Sequence, residues 1–295
     1  MATTFRGVYA AMVTPMTAEE ELDCATLTTL VDHLIEQGVH GLIPLGSTGE
    51  YYALSDAERR EIVETVIRAA DGRLPVLVGT NAAGTRQVVE HSRRAEQAGA
   101  VGLLLAAPYY SLPTADELFD HFRVVSEAVN IPIMLYNYPA RTGVDLVPSL
   151  IARLSELENV QYVKESSGDL LRVSEIIDLC GERITVFCGC DTGALASFVS
   201  GAVGWVGGGP NFLPAAHVKL FELAVEENDF EAARELASRL LPALRVLEGG
   251  KYTQLVKNGC ELMGYPVGPP RRPLLPVTAE ESAALKEAID RLGEV

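Results

Sequence analysis

Two apolar stretches that break off into polar side chains carry most of the chemistry legible in the chain. One is Ile131-Pro-Ile-Met-Leu-Tyr136-Asn-Tyr-Pro-Ala-Arg141-Thr-Gly143; the other is Val160-Gln-Tyr-Val-Lys164-Glu-Ser-Ser-Gly168. Lys164 is the first of only five lysines, against nineteen arginines. An amine at the end of a buried strand loses its water, so its pKa falls and part of it is neutral and nucleophilic. Attack on a carbonyl would then give a Schiff base. A tyrosine hydroxyl one strand away, that of Tyr136, is suited to moving the protons this requires.

Side chains of this kind must be positioned by a scaffold, and the scaffold is legible as a repeat. Short apolar runs recur every 20 to 30 residues: Gly7–Val13, Gly41–Leu45, Val76–Gly79, Gly102–Ala106, Ile133–Tyr136, Tyr162–Lys164, Thr185–Cys188 and Val203–Val206. Between them, segments such as Asp56–Ala70 and Thr85–Ala98 space apolar residues at helical intervals among Glu and Arg. Ser55 with Glu58 reads as a capping signal, Leu112-Pro-Thr114 precedes a helix through Val125, and Gly38 and Gly99 sit where helices should stop. Eight strand–helix units predict an α/β fold, a (β/α)₈ TIM barrel of ~250 residues. An open doubly wound sheet is the competing architecture, but no G-x-G-x-x-G follows the first strand. The predicted division is a catalytic barrel over residues 1–227 and a helical extension over 228–295. That extension should hold three helices, Phe230–Val246, Tyr252–Met263 and Ala279–Leu292, with an extended Gly264–Pro273 stretch before the last.

Composition narrows the partners. The 295 residues carry 24 basic against 40 acidic side chains, a formal net charge of −16. A chain this acidic, without a basic stripe, repels phosphate, so neither nucleic acid nor an anionic membrane surface is an expected partner. No apolar run approaches the ~18 residues of a membrane span, and Met1-Ala-Thr-Thr-Phe-Arg lacks the pattern of a signal peptide. Five scattered cysteines (Cys24, Cys180, Cys188, Cys190, Cys260) read as free, buried thiols of a cytoplasmic protein rather than a disulfide framework. Cys188-Gly-Cys190 is too short for a C-x-x-C redox pair. The five histidines show no metal-binding spacing, so no metal is expected.

In a barrel of this type the active site lies at the C-terminal ends of the strands. This chain places Thr14 after strand 1, Gly46-Ser47-Thr48-Gly49-Glu50 after strand 2, Pro108-Tyr109-Tyr110 after strand 4, and Tyr136, Asn137 and Arg141 after strand 5. Strand 6 delivers Lys164 and Glu165, strand 7 Gly189 and Asp191, and strand 8 Gly207-Gly-Gly-Pro210. Gly46–Gly49 has the makings of an anion nest, in which backbone N–H groups and two hydroxyls converge on a carboxylate. It lacks G-x-x-x-x-G-K-[ST], which excludes a nucleotide loop. Taken singly, each residue has a plainer reading: a helix-entry turn, a solvated lysine, a packing tyrosine, a surface arginine. Gly207–Gly209 reads as a phosphate loop or, preferably, as small residues leaving room for a substrate. The coincidence of so many polar strand ends is what favours a site.

With these residues in place, the chain resembles the dihydrodipicolinate synthase / N-acetylneuraminate lyase family of class I, Schiff-base aldolases. The likeness runs from Tyr9 to Leu275 and rests on G-S-T-G-E at Gly46–Glu50, Tyr-Asn-x-Pro-x-Arg-Thr-Gly at Tyr136–Gly143 and Val-Lys-Glu at Val163–Glu165. The resemblance implies that Lys164 forms an imine with a 2-oxo acid and that Tyr136 transfers protons. Ser47 would link Tyr136 to a second tyrosine, matched by Tyr110, which in the family usually reaches in from a neighbouring subunit. Ser47 and Thr48 would hold the substrate carboxylate, with Gly189 and Val206 lining the pocket. It further implies a homotetramer built as a dimer of dimers, a small-molecule 2-oxo acid as partner, and no organic or metal cofactor.

Two departures bear on the reaction. The synthases usually show threonine at the place of Ser47, and an Asn-Pro-Ile-Pro-Val-Lys stretch where this chain reads Gly249-Gly-Lys-Tyr-Thr-Gln-Leu-Val-Lys257. Sialic-acid lyases, conversely, lack an arginine at the place of Arg141, which the synthases use for the second substrate's carboxylate. The leading expectation is therefore an aldolase, dehydratase or deaminase of a carboxylate-bearing 2-oxo acid. Condensation of pyruvate with aspartate semialdehyde is the runner-up. A barrel that has lost catalysis and only binds ligand is the reading from another class, and the presence of both Lys164 and Tyr136 weighs against it.

Overall fold

The computed structural model describes residues 5–293, and among them eight strands run parallel in one sheet: β1 (Gly7–Ala11), β2 (Gly41–Ile43), β3 (Leu77–Gly79), β4 (Gly102–Ala106), β5 (Ile133–Asn137), β6 (Val160–Glu165), β7 (Thr185–Cys188) and β8 (Gly204–Gly207). Neighbours follow chain order, and β1 pairs with β8. A bridge between Leu42 and Val76, with Leu42 N–H donating to Pro75 O at 3.0 Å, closes the remaining seam between β2 and β3. The result is the expected (β/α)₈ barrel. Helices fill each crossover, including Cys24–Glu36, Asp56–Ala70, Thr85–Ala98, Ala115–Ser126 and Leu171–Cys180.

Helix starts follow the sequence signals. Ser55 and Glu58 form a reciprocal capping box, as do Thr114 with Glu117 and Thr278 with Glu281. Gly99 takes φ +105° at a helix end, a conformation that suits a residue without Cβ. Beyond the barrel lie the helices Phe230–Glu248, Tyr252–Leu262 and Ala279–Leu292, within two residues of expectation, and Gly264–Pro273 is non-helical. None of the described helices is long and apolar enough to cross a membrane.

Strand side chains alternate between two cores. Outward residues such as Val8, Leu42, Leu103, Leu135, Val163 and Trp205 pack under the helices. Inward residues (Phe5, Tyr9, Leu77, Leu104, Met134, Tyr162, Phe187 and Val206) fill the barrel. Tyr9 and Phe187 meet edge to face at 5.5 Å between ring centres, and Phe5 N–H donates to Tyr162 Oη at 3.2 Å. Two glycines make room for these rings: a Cβ on Gly41 would lie 2.1 Å from Tyr9, and one on Gly204 2.2 Å from Phe187.

β6 is longer than its apolar run suggested, because it begins at Val160 and carries the polar Gln161. Its pairing with β5 slips at this point: Ile133 faces Val160, but Met134 faces Tyr162. One extra residue inverts the alternation downstream, so Val160 points to the helices while Tyr162 points inward. Lys164, two residues on, therefore enters the barrel mouth in register with Tyr136.

Because Gly204 is closed in by an aromatic ring, Gly204→Ala should destabilise the barrel by about 1–3 kcal/mol through overpacking. Urea unfolding followed by circular dichroism measures this; an unchanged midpoint would show that Phe187 moves aside freely.

Candidate active site

At the C-terminal ends of the strands the barrel opens into a cavity of about 630 Å³, walled by Ser47, Thr48, Tyr136, Arg141, Lys164 and Gly189 among others. Lys164 is 6% exposed, and its Nζ sits 4.2 Å from the centre of the Tyr136 ring. Among the described residues no carboxylate lies within ion-pair distance of it. Burial lowers its pKa to about 8; the buried Asp191 carboxylate opposes that shift without cancelling it. A usable fraction of the amine is thus neutral near pH 8, as imine formation requires.

Tyr136 is buried, with the Ser47 side chain beside its hydroxyl. Burial, with a lesser push from Tyr138, drives its pKa far above the usual phenol range, so it stays protonated and can donate. Ser47 and Thr48 lie on the turn after β2. Thr14 braces that turn by donating to Gly49 O at 2.7 Å, and Gly49 is packed against the Met12 carbonyl so closely that an added Cβ would lie 3.0 Å away. Gly189 must lack a side chain: its Cβ would stand 1.9 Å from Ser166 Oγ and 2.8 Å from two Lys164 carbons. Arg141, on the short helix Pro139–Thr142, lines the rim with its guanidinium 5.9 Å from the Tyr138 ring centre. Among the described residues it has no acidic partner within ion-pair distance, so its charge is directed at the cavity rather than at the fold.

Val206 and the Gly207–Gly209 loop depart from expectation. Val206 is fully buried in the barrel interior and lies beneath the cavity, not on its wall. Tyr110 is 95% exposed, with φ +74°, and a single chain leaves it outside the cavity, whereas its neighbour Tyr109 lines it. The room around Gly207–Gly209 is taken by the protein itself: added Cβ atoms would meet Asp191 Oδ1 at 2.3 Å, Tyr252 Cε1 at 2.8 Å and His217 Nε2 at 2.3 Å.

Several wall residues carried no strand-end signal. Tyr252 and Thr253 come from the helix Tyr252–Leu262, outside the eight repeats. The Tyr252 hydroxyl accepts from Gly208 N–H at 2.8 Å and donates to Asp191, whose other oxygen accepts from Trp205 Nε1–H at 2.9 Å. Ser166 and Tyr138 were legible in principle, since each stands two residues beyond an inward-facing catalytic candidate. Ser166 Oγ is buried beside Lys164 and has no hydrogen-bond partner among the described residues. Behind this wall, Asn137 Nδ2 donates to Glu165 at 2.9 Å and Asp145 at 3.2 Å, while Arg172 clamps Asp145 with two hydrogen bonds of 2.5 and 2.7 Å. The strand ends carrying Tyr136 and Lys164 are thereby locked together.

A profile of the dihydrodipicolinate synthetase family matches residues 4–292. The chain belongs to this family. It is 38% identical over 292 residues to a 4-hydroxy-tetrahydrodipicolinate synthase of Methanothrix thermoacetophila, covering 99% of this chain and 98% of that one. A synthase of the same name from Pelobacter propionicus is 37% identical, with 98% and 99% covered. Among solved structures, a chloride-inhibited dihydrodipicolinate synthase from Acinetobacter baumannii, complexed with pyruvate, superimposes with a TM-score of 0.95 at 32% identity, covering 99% and 100%. A prophage protein of the family from E. coli K12, also in complex with pyruvate, gives 0.94 at 31% identity, with 98% and 99% covered. As a member the chain is a lyase.

Borohydride trapping of pyruvate should label Lys164 and disappear in Lys164→Ala. Since the attacking amine must be neutral, the trapping rate at fixed pyruvate should rise with pH through about 8 and level off above it. A rate still climbing towards the ordinary lysine value of ~10.4 would mean that the amine is solvated. Tyr136→Phe should fold normally and lose ~10²–10⁴ in turnover, the usual worth of a general acid–base group.

Proposed function

We propose that this lyase forms a Schiff base between Lys164 and pyruvate and joins the resulting enamine to a carboxylate-bearing aldehyde, as in 4-hydroxy-tetrahydrodipicolinate synthesis from aspartate semialdehyde. The observation that carries the reading is a partly neutral lysine packed on a protonated tyrosine, facing an arginine with no acidic partner across one cavity. The two synthase relatives favour this condensation over the broader aldolase, dehydratase or deaminase expectation.

In this mechanism the pyruvate carboxylate rests on the Ser47–Thr48 turn and the neutral Lys164 amine attacks C2. Tyr136 protonates the carbinolamine oxygen, water leaves, and a protonated imine results. That imine acidifies the C3 protons; the Tyr136 phenolate left by the previous step takes one back and gives an enamine, whose C3 attacks the aldehyde carbon of the second substrate while Tyr136 returns the proton to the aldehyde oxygen. Attack of the second substrate's amino group on the regenerated imine then releases Lys164. Arg141 binds the distal carboxylate of that substrate through its planar fork of donors. Replacement of the family's usual threonine by Ser47 preserves the hydroxyl that links to Tyr136. Tyr110, exposed on a left-handed backbone beside the exposed Leu112, suits a residue offered to a neighbouring subunit's site, in keeping with a dimer-of-dimers tetramer.

A second reading is favoured by one specific observation. The Ser166 hydroxyl, beside Lys164 and without a partner among the described residues, would suit a hydroxyl on a longer 2-oxo acid cleaved or dehydrated at the same imine. Assaying pyruvate with aspartate semialdehyde beside a panel of hydroxylated 2-oxo acids separates the two, the larger kcat/KM naming the substrate. Arg141→Ala should lower kcat/KM roughly ten- to a hundredfold, the loss of a charge-assisted hydrogen bond, and leave pyruvate trapping nearly intact. Equal loss of both would make Arg141 a support of its loop.

A further inference from the structure

The carboxylate-binding turn is tied to a segment more than two hundred residues away. Glu50, which ends the turn in a left-handed conformation at φ +56°, has a fully buried side chain. Its Oε1 pairs with Lys257 Nζ at 2.8 Å, and Lys257 is itself 2% exposed. The other oxygen accepts from Arg271 N–H at 2.8 Å, and Lys257 also donates to Pro269 O at 2.7 Å. The Arg271 guanidinium pairs with Glu58 at 2.7 Å and donates to Ala53 O at 3.1 Å and Glu20 O at 2.5 Å. One helical turn before Lys257, on the same face, Thr253 lies beside Tyr52.

A buried ion pair is a poor device for stability, because desolvating both charges offsets most of their attraction and an apolar pair would serve as well. What it supplies is direction: a fixed carboxylate orients the backbone that carries it. Glu50 follows Ser47, Thr48 and Gly49 without a break, so its placement fixes where their N–H groups and hydroxyls point.

From this geometry we infer that Glu50 and Lys257 are positioning residues for substrate binding, and that the C-terminal helices set the 2-oxo acid affinity of the turn. The inference rests on the Schiff-base reading and deepens it. Neither residue touches the reacting atoms; each acts through Ser47 and Thr48.

The test compares Glu50→Gln, the double variant Glu50→Gln/Lys257→Met and Lys257→Arg by borohydride trapping over a pyruvate series, with thermal unfolding alongside. The double variant removes both charges, so neither is left buried alone. Expected is a rise of about tenfold or more in half-saturating pyruvate for the first two, in line with the cost of misplacing a binding group. Labelling should still reach Lys164 at saturation, and Lys257→Arg should stay closest to wild type. Gly204→Ala, destabilised at a site remote from the hub, should show no rise. Half-saturation within twofold of wild type overturns the inference, as does a rise that merely follows loss of thermal stability across all four variants. Failure of the wild type to label at all would instead refute the Schiff-base reading.

Discussion

Taking the Lys164 amine out of water without giving it an acid to pair with is the constraint around which the site is arranged. Paired with a carboxylate at contact distance, the amine would stay charged and unreactive; left in solvent, it would be protonated near neutrality. The barrel resolves this by placing the amine over the Tyr136 ring, with the buried Asp191 carboxylate beyond ion-pair distance. Asp191 in turn is held by Trp205 and Tyr252, and its own pKa is raised to about 6, mainly by burial. A lysine of pKa about 8 is the outcome of that standoff. Each term depends on side chains from different strands, which only barrel closure brings together.

The C-terminal helices take part in the site itself. A helix appended to eight repeats would ordinarily cover one flank of the barrel. Here the helix Tyr252–Leu262 reaches two parts of the barrel mouth, with Tyr252 against Asp191 and Gly208, and Lys257 against Glu50. Glu248, just before it, accepts from the backbone of Asp191 at 2.6 Å and from the Thr192 hydroxyl at 2.5 Å. The separation of barrel from extension at residue 228 follows the repeat but not the chemistry.

Much of this was legible because strand ends in a barrel face one another. Polar residues terminating apolar runs point to Lys164, Tyr136, Ser47, Thr48, Arg141 and Gly189 from the sequence alone. What escaped has physical reasons. Tyr252 and Thr253 lie on a helix whose apolar pattern reports only its buried face, not what that face meets. The β6 bulge was invisible because an extra residue leaves no mark on composition. Had β6 been read as regular from Val160, Lys164 would have been assigned to the wrong side of the sheet. Tyr110 and Tyr109 are adjacent and identical, and only backbone conformation decides which one enters the cavity of its own chain. Val206 was assigned to the wall by likeness; it sits one layer too deep.

The Glu50–Lys257 pair also says something about when the protein becomes an enzyme. As the chain leaves the ribosome, the strands and helices of the first half can pair locally, and all eight strands have been translated by residue 207. The turn that would hold the substrate's carboxylate is made earlier still, yet its anchoring partners, Lys257 and Arg271, are translated more than two hundred residues later. Contacts of such sequence separation form late, since a long loop must close before they repay its entropy. A barrel closed at that stage would therefore lack, on the proposed role of the turn, an oriented carboxylate seat until synthesis is nearly finished. On the proposed role of the turn, the ionic link would make substrate capture the last property the chain acquires.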